Sequence, residues 1–136
     1  HEQSTALVEV NNAVNQMVAQ AMLERLGLTV VLAATGTQAL QLFQQPPRGR
    51  AYAMVLMDCH MPELDGFACT RLMRECEARL ALPRTPVVAM TASSEAEAGE
   101  DCRAAGMDGF LAKPVLFDQL AEVVRRWTMR PAPSPF

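Results

Sequence analysis

The sequence predicts an α/β domain, a parallel sheet covered by helices on both faces in three layers. Five short apolar runs alternate along the chain with five stretches of helical periodicity. Glycine or proline punctuates most of the junctions: Gly27, Pro46-Pro47, Pro83, Pro86 and Pro114. A chain of 136 residues is enough for one domain that buries about two-thirds of its unfolded surface.

Ala6 to Val10 is the first strand, interrupted by an acidic residue, Glu9. Asn11-Asn12 offers capping side chains for a helix whose apolar face is Val14, Met17, Val18, Ala21 and Met22. Gly27 stops that helix. Thr29 to Ala33, β-branched and apolar, is the second strand, and Thr35-Gly36 turns the chain into a helix over Thr37 to Gln45. Pro46-Pro47 terminates it. The apolar run from Ala51 to Met57 is the third strand, and it ends abruptly on Asp58. Cys69, Leu72, Met73, Cys76 and Leu80 mark the third helix, which runs until Pro83. Pro86 to Thr91 is the fourth strand, and Ser94 with Glu97 forms a capping-box pattern for a helix ending near Ala105. Gly109 to Lys113 is the fifth strand, closed by Pro114. Leu116, Leu120, Val123, Val124 and Trp127 mark the last helix.

Right-handed crossovers leave few ways to arrange such a sheet. The flavodoxin-like (βα)5 order 2-1-3-4-5 fits, with its switch point between strands 1 and 3, where Asp58 and Asn11 meet. The domain is expected over residues 6–128, with 1–5 as an N-terminal extension and the Pro-rich 129–136 as a tail or linker.

Composition excludes several function classes. The net charge is −3 and no Lys/Arg cluster occurs, so no nucleic-acid partner is expected for this domain. No apolar run approaches the ~20 residues of a membrane span and no signal peptide is visible, so a cytoplasmic domain without membrane contact is expected. A sensor outside the chain could still tether it. Cys59, Cys69, Cys76 and Cys102 lack CxxC spacing and are expected to be reduced, Cys69 and Cys76 as small core hydrophobes.

Three strand ends each deliver a polar side chain to the carboxyl edge, where ligands collect in parallel sheets: Asp58, Thr91 and Lys113. The set suits phosphoryl transfer to a carboxylate. Asp58 supplies the nucleophilic oxygen, Thr91 donates a hydroxyl hydrogen bond, and Lys113 brings compact positive charge. Each residue alone has a structural explanation: a turn aspartate, a helix-capping threonine, a solvated lysine.

In their contexts they resemble a known family. Met57-Asp58-Cys59-His60-Met61-Pro62 with Asp65-Gly66, Met90-Thr91-Ala92 and Phe110-Leu111-Ala112-Lys113-Pro114 resemble the motifs of response-regulator receiver domains. Val14-Asn15-Gln16 and Gly106-Met107-Asp108-Gly109-Phe110 look most like the receivers of hybrid sensor histidine kinases. The resemblance covers about Leu7 to Trp127. It implies that Asp58 is the phosphoacceptor and that Thr91 and Phe110 are switch residues. It also implies a cis Lys113-Pro114 bond and a histidine kinase or histidine phosphotransfer domain as partner. For Phe110, a half-buried strand aromatic is the structural alternative.

The resemblance breaks at the end of the first strand. The family places two acidic residues there to hold Mg²⁺, and alignment through Val14-Asn15-Gln16 puts Val10 and Asn11 at those positions. Asp58 is then the one formal negative charge among the ligand positions, helped by the Asn11 amide and the His60 backbone carbonyl. A weak or absent Mg²⁺ site is the expectation. A register shift that brought Glu9 into place would turn every side chain of the strand over, so none is expected. Glu9 shares a face with Asn11, about 6.6 Å deeper along the strand, and a long side chain is the one substitute within reach.

Two functions compete. One is a phosphorelay receiver taking a phosphoryl group from phosphohistidine onto Asp58. The other is a degenerate receiver acting as an interaction module with little metal-dependent phosphorylation, as Val10 and Asn11 suggest. A flavin or dinucleotide site lacks a Gly-rich loop after the first strand, since Asn11-Asn12-Ala13 holds no glycine. A dehalogenase-type phosphatase lacks its first-strand acid pair, and His60 reads as a solvated loop histidine. Glu95, Glu97, Glu100 and Asp101 make the fourth helix acidic at its start, which complements the helix dipole and suits a basic partner groove.

Overall fold

The structure, a computed structural model, describes residues 4–10, 12–49, 51–59, 65–92 and 95–128, without the side chains of Arg48 and residues 95–98. Five parallel strands, β1 (Thr5–Glu9), β2 (Thr29–Ala33), β3 (Met54–Asp58), β4 (Val87–Thr91) and β5 (Gly109–Ala112), form one sheet. Their spatial order is β2-β1-β3-β4-β5, the order expected from the sequence. Each strand is followed by a helix: α1 (Ala13–Arg25), α2 (Gly36–Gln44), α3 (Gly66–Leu80), α4 (Glu95–Ala105) and α5 (Phe117–Thr128).

Alternation along the strands divides the apolar side chains between two cores. Leu7, Val55, Met57, Val87 and Ala89 face α2, α3 and α4, where Phe43, Cys69, Met73 and Cys102 meet them. Val8, Leu56, Val88, Met90 and Leu111 face α1 and α5, where Leu23, Leu120 and Val124 pack. Burying each such side chain contributes roughly 1.5–3 kcal/mol before entropy is counted. The central strands β3 and β4 are buried along their whole length, which explains why their sequences read as unbroken apolar runs.

α1 departs from its expected packing. Val14, Met17 and Val18 are exposed (67%, 70% and 46%), and Ala21 is exposed as well. The sheet instead receives Ala19, Met22, Leu23 and Leu26. Only the second half of the helix lies against the strands, and its larger leucines decide which face turns inward. Asn12 caps α1 by accepting from Val14 N and Asn15 N. Gly27, at φ +90°, ends it in a conformation that glycine adopts without strain. Of the α3 face, Cys69, Met73 and Cys76 are buried as expected, whereas Leu72 and Leu80 lie at the exposed margin. Leu116 precedes α5 and is 55% exposed. The capping pair Ser94/Glu97 and the residues 129–136 lie outside what is described.

At the amino edge of the sheet a buried ion network, not anticipated from the sequence, joins α3 to the entries of β4 and β5. Arg74 donates to Glu77 Oε1, Asp108 Oδ2, Thr85 O and Gly106 O at 2.8–2.9 Å. Glu77 and Asp108 in turn accept from the backbone N–H groups of Thr85 and Val87. Every partner in the cluster is satisfied, as a buried ionic network requires.

At the carboxyl edge the decisive packing is that of Gly66. Asp65 caps α3, accepting from Ala68 N at 2.8 Å, and this brings the helix start against the end of β3. A Cβ on Gly66 would lie 2.6 Å from Asp58 O and 2.9 Å from Met57 Cγ. A Gly66→Ala variant must therefore push α3 away from the Asp58 strand end. It is expected to lose roughly 1–3 kcal/mol in urea denaturation. By contrast Gly99, inside α4, would place a Cβ no closer than 3.5 Å to any neighbour. Gly99→Ala should stabilise the domain by about 0.5–1 kcal/mol in the same assay.

Candidate functional site

The switch point of the sheet creates the site. Because β1 is flanked by β2 and β3, the chain goes from β1 to α1 on one face of the sheet and from β3 to α3 on the other. Asp58 is the last residue of β3 and pairs with Met90, so Thr91 extends one residue further along the neighbouring strand. Lys113 follows β5 directly, and its N–H donates to Thr91 O at 2.9 Å. The next peptide bond, Lys113-Pro114, is cis.

Register thus brings together three residues far apart in sequence. Lys113 Nζ donates to Asp58 Oδ1 at 2.8 Å. The Asp58 side chain is 7% exposed and that of Lys113 35%, so the carboxylate is sunk while the ammonium reaches in from the surface. Thr91 is buried at the adjacent strand end. An apolar cavity of about 440 Å³ opens beside the pair, lined by Val10, Val18, Met22, Met90 and Leu120 together with Asp58 and Lys113.

The other expected residues are distributed around this centre. Phe110 is partly buried, packs on the core cluster beneath α2, α3 and α4, and brings its ring near Gly99 of α4. Val10 is buried on the α1/α5 side and forms part of the cavity wall. Asn11 and His60 lie outside the described residues. Among the described residues no group of three His, Cys, Asp or Glu side chains is arranged to hold a metal ion.

Glu9 is the anomaly. It is the last residue of β1, pairs with Met57 and is completely buried. Neither of its carboxyl oxygens has a hydrogen-bond partner. Burial, reinforced by the charge of Asp58 and partly offset by Lys113, pushes its carboxyl up to about 8.

The four cysteines are buried and free. Cys59 and Cys102 hydrogen-bond to each other, a contact between the residue after β3 and α4 that sequence spacing does not reveal. Burial pushes the Cys59 thiol up to about 12, with Cys102 and Asp58 adding to it. Burial also raises Cys69 to about 12, followed by the charges of Glu9 and Asp65. Such thiols are poor nucleophiles.

Residues 6–125 match the family model of the response regulator receiver domain. The chain belongs to that family. It is 37% identical to sensor protein GacS of Pseudomonas syringae pv. syringae over 128 residues, 91% of the chain and 14% of that protein. It is 34% identical to probable histidine kinase 1 of Oryza sativa subsp. indica over 149 residues, 89% of the chain. The chain spans about 15% of the length of that kinase. Among solved structures it resembles the receiver domain of sensor histidine kinase PA1611 from Pseudomonas aeruginosa PAO1. There the TM-score is 0.80 and the identity 36%, covering 95% of this chain and 100% of that one. That structure holds a magnesium ion coordinated in its active site cleft. The hybrid signal transduction protein dokA of Dictyostelium discoideum is 35% identical over 121 residues, 89% of the chain and 7% of that protein. Within this receiver, no described helix is long and apolar enough to cross a membrane.

The state of Glu9 makes a prediction about the metal-free receiver. Its folded carboxyl titrates near 8 against 4.5 unfolded. The neutral folded form therefore adds stability that is fully present below pH about 4.5 and is lost as pH rises through about 8. The whole effect is on the order of 4–5 kcal/mol at most. Urea denaturation in chelator at a series of pH values should show the decline, and Glu9→Gln should flatten it.

Proposed function

We propose that this receiver accepts a phosphoryl group on Asp58 from a phosphohistidine of a histidine kinase or histidine phosphotransfer domain. The reading rests on one contact above all, Lys113 Nζ held on Asp58 Oδ1 beside the Thr91 strand end. An Asp58 oxygen attacks phosphorus, the P–O bond forms as the P–N bond breaks, and the donor imidazole leaves with the electron pair. Lys113 offsets charge on the phosphoryl oxygens, and the Thr91 hydroxyl donates to one of them once the group is in place. Displacement of Lys113 from the carboxylate, together with movement of Thr91, is communicated through β4 and β5 to Phe110 and α4. That surface then changes its affinity for the next partner.

A Mg²⁺ ion, present in the related PA1611 receiver, is part of this proposal. The donor chemistry is suitable: Asp58 brings a carboxylate to the end of β3, and the Glu9 carboxyl, whose oxygens have no hydrogen-bond partner, ends the neighbouring strand β1. Asp58 would hold the ion with Asn11 and the His60 carbonyl. When bound, the ion draws negative charge from the phosphoryl oxygens and lowers the barrier to their approach to the carboxylate. The intact Asp58–Lys113 pair favours this phosphoacceptor over a degenerate receiver, since an inert module has no use for a sunken carboxylate held by an ammonium.

Intact-mass measurement after incubation with acetyl phosphate and Mg²⁺ tests the proposal. A species about 80 Da heavier is expected, absent in Asp58→Asn. If wild-type protein gains no such mass from acetyl phosphate or from a phosphorylated histidine phosphotransfer domain, the reading fails. Lys113→Ala should slow the transfer on the order of 100-fold while leaving the circular dichroism spectrum unchanged.

A further inference from the structure

The face of the sheet covered by α1 and α5 is not filled. The cavity of about 440 Å³ between these helices has Leu56, Met90 and Leu120 in its wall, all three buried members of the core. Protein interiors are close-packed, and core side chains bordering a gap forfeit contacts they would otherwise make. The fold nonetheless holds the gap open. Val14, Met17 and Val18 in the first half of α1 are exposed, whereas Leu23 in the second half is packed. Gln16 Nε2 donates to Val10 O and fixes that first half relative to β1. The Arg25 guanidinium lies 4.3 Å from the centre of the Phe117 ring and fastens α1 to α5.

The lining has two ends of different chemistry. Leu56 lies two residues below Asp58 on β3, so the deeper part of the cavity is apolar, with Val18, Ala19 and Met22 of α1 opposite. Water there finds few polar partners, and an apolar group that replaces it gains affinity. At the carboxyl edge the lining turns polar, with Asn15 and the Asp58–Lys113 pair. Lys113 is 35% exposed, and its ammonium, a carrier of three N–H donors, uses one on Asp58 Oδ1. An ammonium has donors only, so the head group it suits is an acceptor, and an anionic acceptor binds most strongly.

We propose that this cavity is a binding site for a small amphipathic acid, its apolar chain lying between α1 and α5 and its carboxylate on Lys113. The volume falls in the range of small-molecule sites, which combine apolar walls with a few placed polar groups. The consequence of occupancy rests on the phosphoacceptor reading above. A carboxylate on Lys113 engages the ammonium that an incoming phosphoryl group requires, so the bound acid slows phosphorylation of Asp58.

Decanoate and decanol are the probes, titrated by calorimetry and by NMR of the methionine methyls in chelator, without any phosphodonor. Wild-type protein should bind one decanoate, with shifts at Met22 and Met90 and none at Met17, which is 70% exposed. Ala19→Leu fills part of the apolar end and should weaken binding by about tenfold or more. Val18→Trp does the same from a 46% exposed position and keeps the test decisive if Ala19→Leu folds poorly. Lys113→Met should weaken decanoate by about tenfold and leave decanol unchanged. Asp58→Asn, which releases the ammonium, should bind decanoate more tightly. Absence of saturable one-to-one binding overturns the proposal, as do shifts centred on Met17. Undiminished affinity in the two cavity-filling variants, or in Lys113→Met, overturns it as well. Binding is read without phosphodonor and is retained in Asp58→Asn, so its failure is distinct from a failure of the Asp58-dependent mass gain.

Discussion

The contact between Lys113 Nζ and Asp58 Oδ1 is the constraint on which the rest of the site depends. A carboxylate at 7% exposure is not stable as an anion without a counter-charge, and the ammonium supplies it from a partly solvated position. This asymmetry is useful for chemistry. The carboxylate is shielded from water, while the ammonium keeps part of its surface toward solvent. Everything that holds the two together lies in the sheet: β3 ends at Asp58, Lys113 follows β5, and β4 between them ties Lys113 through the Thr91 carbonyl.

The same economy explains the supporting packing. Gly66 lets α3 begin in contact with the Asp58 backbone, so the loop after β3 starts and ends beside the site. At the far edge, Arg74 binds Glu77 and Asp108 and anchors the entries of β4 and β5 to α3. One end of the sheet is thus stapled by a saturated ionic network, while the other carries the Asp58–Lys113 pair and the enclosed Glu9 carboxyl. Stability and function are separated along the strand axis.

The fold was legible in the residues because its signals are local. Period-two and period-3.6 patterns, Gly27 and the proline stops placed all five strands and all five helices, although β3 begins at Met54, three residues after the apolar run does. Asp58, Thr91 and Lys113 were legible because each ends an apolar run, and the cis Lys113-Pro114 bond came with the family resemblance. The inward face of α1 was not. Val14, Met17 and Val18 have the right spacing for a core stripe, yet the sheet takes Leu23 and Leu26, since spacing does not reveal which part of a helix lies on the strands. The Arg74 network and the Cys59–Cys102 contact were likewise invisible, because each joins residues tens of positions apart.

Glu9 shows where the two kinds of information divide. The sequence by itself determined that an acid sits inside an apolar strand and that Val10 and Asn11 replace the expected pair, because residue identity and strand period suffice for that. It also determined which polar groups cap the strands, and hence the family. Only the tertiary structure decided that the Glu9 carboxyl is wholly enclosed, lacks any partner and feels Asp58 and Lys113. Enclosure and partnership are properties of the space between strands and helices, and that space exists only once chain segments distant in sequence have packed together.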